Sequence, residues 1–242
     1  MNCALGAFAA ALKSPAPWLS PYLSVGQQVL AAPDASSVAA ALNAAGSEQV
    51  RFVEQSALPA GESYEAFIAR TRCVPTRDNL HDLFNGLIWL SYPLSKRRLN
   101  ELHAGEISIH GTSGARGPLR DALTVFDENG AVMQAAEELV DALRRRDWHR
   151  LFVTGRHHWQ SARFALFGHA LLEKLVQPRK PITAHVWIVA DMTDDHLAAS
   201  LTSDQLATRN FLPLPVLGVP GWWSGNEQPS FYDDTDVFRP LR

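Results

Sequence analysis

The chain has 242 residues, of which 46% are hydrophobic and 19% charged, and a formal charge of −3. That composition excludes a disordered chain and supplies a substantial core. The slight negative balance excludes general attraction to nucleic acid or to an anionic membrane, so any such binding would be local.

The first dozen residues, MNCALGAFAAAL, are apolar but lack a basic leading region and stop at Lys13, Pro15 and Pro17, which argues against an export signal. No apolar run approaches the ~18 residues needed to span a bilayer, so no membrane partner is expected. Cys3 and Cys73 form neither a disulfide framework nor a zinc-finger spacing. A reducing compartment fits that usage, and the expected location is cytoplasmic.

Residues 1–48 are rich in alanine and proline and predict short helices ending near Gly46. Residues 49–55 (QVRFVEQ) read as a strand, 56–62 as a loop and 63–73 as a short helix. Asp78 is an N-cap for a helix that ends before Pro93, and Ser95 caps the next one. A glycine-rich turn, HGTSGARGP, covers 110–118. Residues 122–126 and 131–133 flank Asp127-Glu128-Asn129-Gly130, and Asn-Gly there predicts a β-hairpin. Helices are expected over 135–147, 159–176 and 195–207, with a buried strand at 182–190. Residues 212–242 hold too much proline and glycine for a regular element and predict an extended strap anchored by aromatics. The fold class is α+β: a helix-rich single domain over 1–242 with few short strands, one hairpin and this strap.

The most informative stretch is VPTRDNLHDLFNGLIWLSYP, from Val74 to Pro93. On a helix, its leucines, Phe84 and Ile88 share one face, while Asp78, His81, Asp82, Asn85, Gly86 and Trp89 share the other. Short polar groups beside an indole suit a pocket lining better than open surface. The following helix presents Lys96, Asn100 and His103 on one stripe, and Asp121 and Asp127 flank the expected hairpin. His169 and Glu173, four apart, would share a helix face and could ligate one ion or pair with each other.

Several blocks together resemble a bacterial family known as domain of unknown function 3025. They are the stretch above with Lys96, Asn100 and His103; RGPLRDALTVFDENG; FGHALLEKLV; and LPVLGVPGWW followed by FYDDTDVFRP. The resemblance runs from about Arg51 to the end. It implies a single folded bacterial protein and brings no activity or site residues with it.

The leading expectation is a polar pocket acting as a metal-assisted hydrolase-type enzyme or binding a small polar ligand. His81, Asp82, Asn85 and His103 would be catalytic, and Asp78, Trp89, Asn100 and Asp121 would bind the ligand. His169 and Glu173 would hold a divalent metal, the cofactor this donor set suits. Asp78 also reads as a simple cap, and Asp127 with Asn129 as a simple turn. The alternative is a non-enzymatic protein that binds nucleic acid or an acidic partner through residues 144–163, RRRDWHRLFVTGRHHWQSAR. The bland reading of that segment is helix-end charge with its tryptophans turned to the core.

Overall fold

The computed structural model describes residues 2–32, 35–111 and 117–241. Most of the glycine-rich turn expected at 110–118 lies outside the described residues.

Three short helices open the chain: α1 (Cys3–Lys13), α2 (Leu23–Leu30) and α3 (Val38–Ala45). Ser37 caps α3 by accepting from the Ala40 amide at 3.2 Å, and Gly46 ends it at φ 82°, a conformation that favours glycine. β1 (Arg51–Glu54) and β2 (Cys73–Thr76) then pair in parallel, linked through α4 (Tyr64–Thr71). β2 replaces the end of the helix expected over 63–73. Arg72 turns left-handed at φ 57° and closes α4, which frees Val74 to pair opposite Phe52.

α5 (Leu80–Ser91) and α6 (Pro93–His110) follow with almost no connection. Asn79, not Asp78, caps α5, and Asp78 instead accepts from the Val38 amide at 2.7 Å. Pro93 starts α6, since its missing N–H and fixed φ suit a first helical position. Ser95 is therefore inside that helix rather than its cap. The cap comes from a distance: Asp194 accepts from the Leu94 and Ser95 amides at 2.7 and 3.0 Å and from the Ser95 hydroxyl at 2.6 Å.

The expected hairpin is absent. Residues 118–129 form a helix, α7 (Pro118–Asn129), which buries Ala122, Leu123 and Phe126. Those positions repeat at helical spacing, and that period prevails over the Asn-Gly turn signal. Gly130 leaves the helix and starts β3 (Gly130–Gln134). After α8 (Glu137–Arg144), the helix expected over 159–176 is split into β4 (Arg163–Leu166) and α9 (His169–Lys174). The chain continues through β5 (Thr183–Ile188), α10 (Asp194–Ser200), α11 (Ser203–Ala207) and β6 (Leu212–Pro215), so the single helix expected over 195–207 is two. The second sheet runs β4-β3-β5-β6, with β3 and β5 parallel and both outer pairings antiparallel.

The C-terminal strap contributes β6 as an edge strand and then winds through short 3₁₀ turns. Its aromatics anchor it: Tyr232 and Phe238 pack on Phe152 with ring centroids 4.9 and 6.0 Å apart. Buried apolar residues from Ala4 to Phe238 join one cluster, and the architecture is α+β.

One contact brings the site together. The Gly130 carbonyl accepts from both the Phe167 and Gly168 amides, at 2.9 and 2.8 Å. A Cβ on Gly168 would stand 2.5 Å from the Glu128 carbonyl oxygen and 2.6 Å from the Asn129 nitrogen. Backbone cannot yield as a side-chain tip can, so only glycine fits. Gly168→Ala should lower stability by about 1–3 kcal/mol. Urea denaturation would show it as a lower midpoint with an unchanged m-value.

Candidate functional site

A cavity of about 290 Å³ opens where α5, α6, α7 and α9 meet α4. It is lined by His81, Asp82, Asn85, Trp89, Asn100, His103 and His169, and also by Tyr64, Glu65, Arg77, Lys96, Asp127 and Glu128. Asp78, Asp121 and Glu173 do not line it. Asp78 holds α3, and Asp121 pairs with Arg209 at 2.7 Å on the surface.

Along α5 the polar arc supplies His81, Asp82, Asn85 and Trp89. Gly86, on the same arc, is a packing position instead: a Cβ there would meet the Leu42 side chain at 2.2 Å. Both carboxylate oxygens of Asp82 are occupied by Arg77, through its backbone amide at 2.6 Å and its guanidinium at 3.0 and 2.9 Å. Asp82 thus shapes the entry to α5 and is not free to move protons for a ligand.

Opposite, α6 places Lys96, Asn100 and His103 on its buried stripe. The Lys96 ammonium donates to Asn85 Oδ1 at 2.9 Å and to Asp127 Oδ1, and lies 5.4 Å from the Trp89 ring centroid. Burial alone would push the Asp127 carboxyl up, but Lys96 and then His169 hold it below its ordinary value. Asn100 donates to the Glu65 carbonyl at 3.0 Å. His103 is 6% exposed and its Nδ1 has no hydrogen-bond partner among the described residues. Burial lowers its pKa.

His169 and Glu173 do share a face of α9, yet they meet through a third residue. His81 Nδ1 lies 2.8 Å from Glu173 Oε2, and His81 Nε2 lies 3.1 Å from His169 Nε2. A carboxylate only accepts, so His81 carries its proton on Nδ1 and turns a lone pair toward His169. Glu128 Oε1 stands 3.7 Å from His169 Nε2, and one ligand atom from each of the three residues lies within 4.8 Å of the others. An ion about 2.1 Å from both nitrogens would subtend roughly 95° between them, and one about 2.1 Å from His169 Nε2 and Glu128 Oε1 roughly 125°. Glu173 orients His81, whereas His169 Nδ1 is buried without a hydrogen-bond partner among the described residues, with Asp127 Oδ2 3.9 Å away.

The electrostatics point the same way. Two cationic side chains against four carboxylates leave the cavity lining at −2. Burial and then the neighbouring Asp127 push the Glu128 carboxyl up, a cost that a divalent cation would remove.

Sequence reasoning named Asp127 as a candidate that could equally shape a turn and passed over Glu128, because the Asn-Gly pair suggested a turn there. Lys96 was placed on the stripe but not in the site; its spacing with Asn100 and His103 was the usable signal. Tyr64 and Arg77 carried none.

Within the Arg-rich segment, two of the six arginines form ion pairs among the described residues. Arg144 pairs with Glu137 and Asp141 at 2.5 and 3.2 Å, and Arg156 with Glu227 at 2.6 Å. The indole N–H groups of Trp148 and Trp159 donate inward to the Arg239 and Leu151 carbonyls, both at 2.9 Å.

Burial pushes the His169 imidazole down to about 4 from 6.5. Below pH 6.5 the unfolded chain therefore takes up a proton that the folded protein refuses until about pH 4. This contribution to stability is complete above pH 6.5 and is lost on acidification across that window, by on the order of 3 kcal/mol. Urea denaturation at a series of pH values, with chelator present, should show that slope, and His169→Gln should flatten it.

No helix among the described residues is long and apolar enough to cross a membrane. No curated protein and no solved structure matches the chain. Residues 50–242 match the family model described as a protein of unknown function, DUF3025, and with that coverage the chain belongs to this family.

Proposed function

We propose that this protein is a divalent-metal-assisted hydrolase-type enzyme acting on a small polar molecule held in the cavity. The observation that carries the reading is that one ligand atom from each of His81, His169 and Glu128 lies within 4.8 Å of the others at the cavity wall, with His81 hydrogen-bonded to Glu173 behind it. Two histidines and one carboxylate leave coordination positions open for water and substrate, the arrangement of catalytic rather than structural ions. Such an ion, held by these residues, would supply a Lewis acid and a water of lowered pKa, about 7.

The chain's own residues divide the remaining tasks. Glu173 holds the His81 ring in its ligating tautomer, and Trp89 walls the cavity beneath the Lys96 ammonium. Asn85 fixes Lys96 and Tyr64 relative to one another, through contacts of 2.9 Å to each. A cavity of about 290 Å³ holds roughly ten waters at ~30 Å³ each, so it takes a small substrate or one end of a larger one.

Elemental analysis of protein purified without chelator tests this directly, with about one equivalent of zinc or manganese expected. Iron would move the reading to oxygen chemistry, which uses the same donor set. Glu173→Gln should weaken metal affinity about 10–100-fold, and His169→Ala or Glu128→Gln should weaken it more. The Glu128 carboxylate makes no hydrogen bond among the described residues. Glu128→Gln should therefore keep the melting temperature of chelator-treated protein within about 2 °C of the parent. A large fall in melting temperature with metal content unchanged would return these residues to a structural role.

A further inference from the structure

Lys96, Tyr64 and His103 on the cavity wall each have hydrogen-bonding capacity without a partner among the described residues, as does His169 Nδ1. Lys96 is 4% exposed, and its ammonium reaches two acceptors, Asn85 Oδ1 and Asp127 Oδ1. An ammonium carries three N–H donors, so one has no protein acceptor among the described residues. Because Lys96 can only donate, Asn85 must offer it oxygen and turn its NH₂ to the Tyr64 hydroxyl, 2.9 Å away. Tyr64 accepts that bond and keeps its own O–H to give. His103 Nδ1 is the third group, buried and without a partner.

All three residues line the same cavity as His81, Glu128 and His169. Leaving buried polar groups unmet costs about 1–3 kcal/mol each, so an occupant that satisfies them is strongly favoured. Lys96 and Tyr64 offer hydrogen atoms, and a neutral imidazole can do the same at Nδ1. An apolar molecule would leave them all unmet and a cationic one would face the Lys96 ammonium, whereas a group with several negatively charged oxygens would meet Lys96 and Tyr64 together. The buried ammonium supports this independently. A buried Lys–Asp pair adds little to stability compared with apolar residues, and here it stands beside a cavity instead of in solid core.

We infer that Lys96, Tyr64 and His103 form an oxyanion subsite next to the ion, and that the substrate is a small molecule whose phosphoryl or carboxylate group spans the ion and Lys96. This rests on the metal reading above and names the substrate class for it.

The test is calorimetric titration of Zn²⁺-loaded protein with inorganic phosphate and, separately, with acetate, with metal content measured on the same samples. The parent should bind one of the two anions, and which one it binds assigns the group as phosphoryl or carboxylate. Lys96→Met/Asp127→Asn removes both charges together, so no unpaired carboxylate is left buried. Because Asp127 also faces His169, Zn²⁺ is supplied in excess to keep the site filled; the variant should then bind that anion at least ~10-fold more weakly at equal metal content. Should the double variant fail to fold, Tyr64→Phe removes a single O–H, and about fivefold weaker binding is expected. Unchanged anion affinity in the variant that folds, or no binding of either anion by metal-loaded parent protein, overturns the subsite and leaves the metal centre standing. Anion binding that depends on Lys96 in protein that holds no metal supports the subsite and overturns the metal reading. Absence of both metal and anion binding overturns both.

Discussion

The site hangs on one close crossing of backbones, where Gly168 passes over the end of α7. The antiparallel ladder between β3 and β4 pairs Ala131 with Leu166 at its last step. Glu128 lies three residues before Ala131 and His169 three after Leu166, so the same count, carried past the end of the sheet, sets these two opposite each other. For the chains to stay that close after the strands end, one of them must lack a side chain. Gly168 meets that need, and the Gly130 carbonyl, accepting two successive amides, fastens the crossing. The last turn of α7 and the first turn of α9 thus deliver an acid and an imidazole to one point without a loop between them.

Asp127 ties the two halves of the cavity into one electrostatic unit. One of its oxygens takes the Lys96 ammonium and the other faces His169. A change of charge at the His81–Glu128–His169 cluster is therefore felt at Lys96 through a single carboxylate, in surroundings where screening by water is weak. The same logic explains why Arg77 and Asp82 contribute little to the cavity's chemistry. Their charges cancel at the cavity mouth, fixing the start of α5, and the acid–base capacity is left to groups deeper in.

How far the sequence disclosed this depended on whether one helix or several supplied the evidence. The arc of α5 and the stripe of α6 could be read as pocket walls because each is a periodic pattern within one element, and helical geometry fixes which residues share a face. Glu128 could not be read so. Its partners are 47 and 41 residues away, at His81 and His169, and only the crossing at Gly168 brings them together. His169 and Glu173 were rightly put on one face, but what lies across from that face is a tertiary fact, and it proved to be His81 standing between them. The hairpin error had a different cause. Asn129-Gly130 is a strong local turn signal, yet burial of Ala122, Leu123 and Phe126 outweighs two residues' turn preference. The break at Gly168 was hidden because FALFGHALLEKLV has the apolar content of one continuous helix.

Two residues first read as part of the pocket have another task, which ties the site to residues 1–49, outside the family match. Asp78 holds the Val38 amide, and Gly86 leaves room for Leu42 to press against the backbone of α5. α5 is thus clamped by α3 at its entry and at its midpoint, and those two points bracket His81, Asp82 and Asn85. Side chains that act together on one occupant must be held to within about half an ångström, and a helix of twelve residues is not that rigid by itself. The clamp supplies the rigidity from behind, where it takes no space from the cavity. An alanine- and proline-rich segment that contributes no side chain to the cavity lining therefore supports the site from behind.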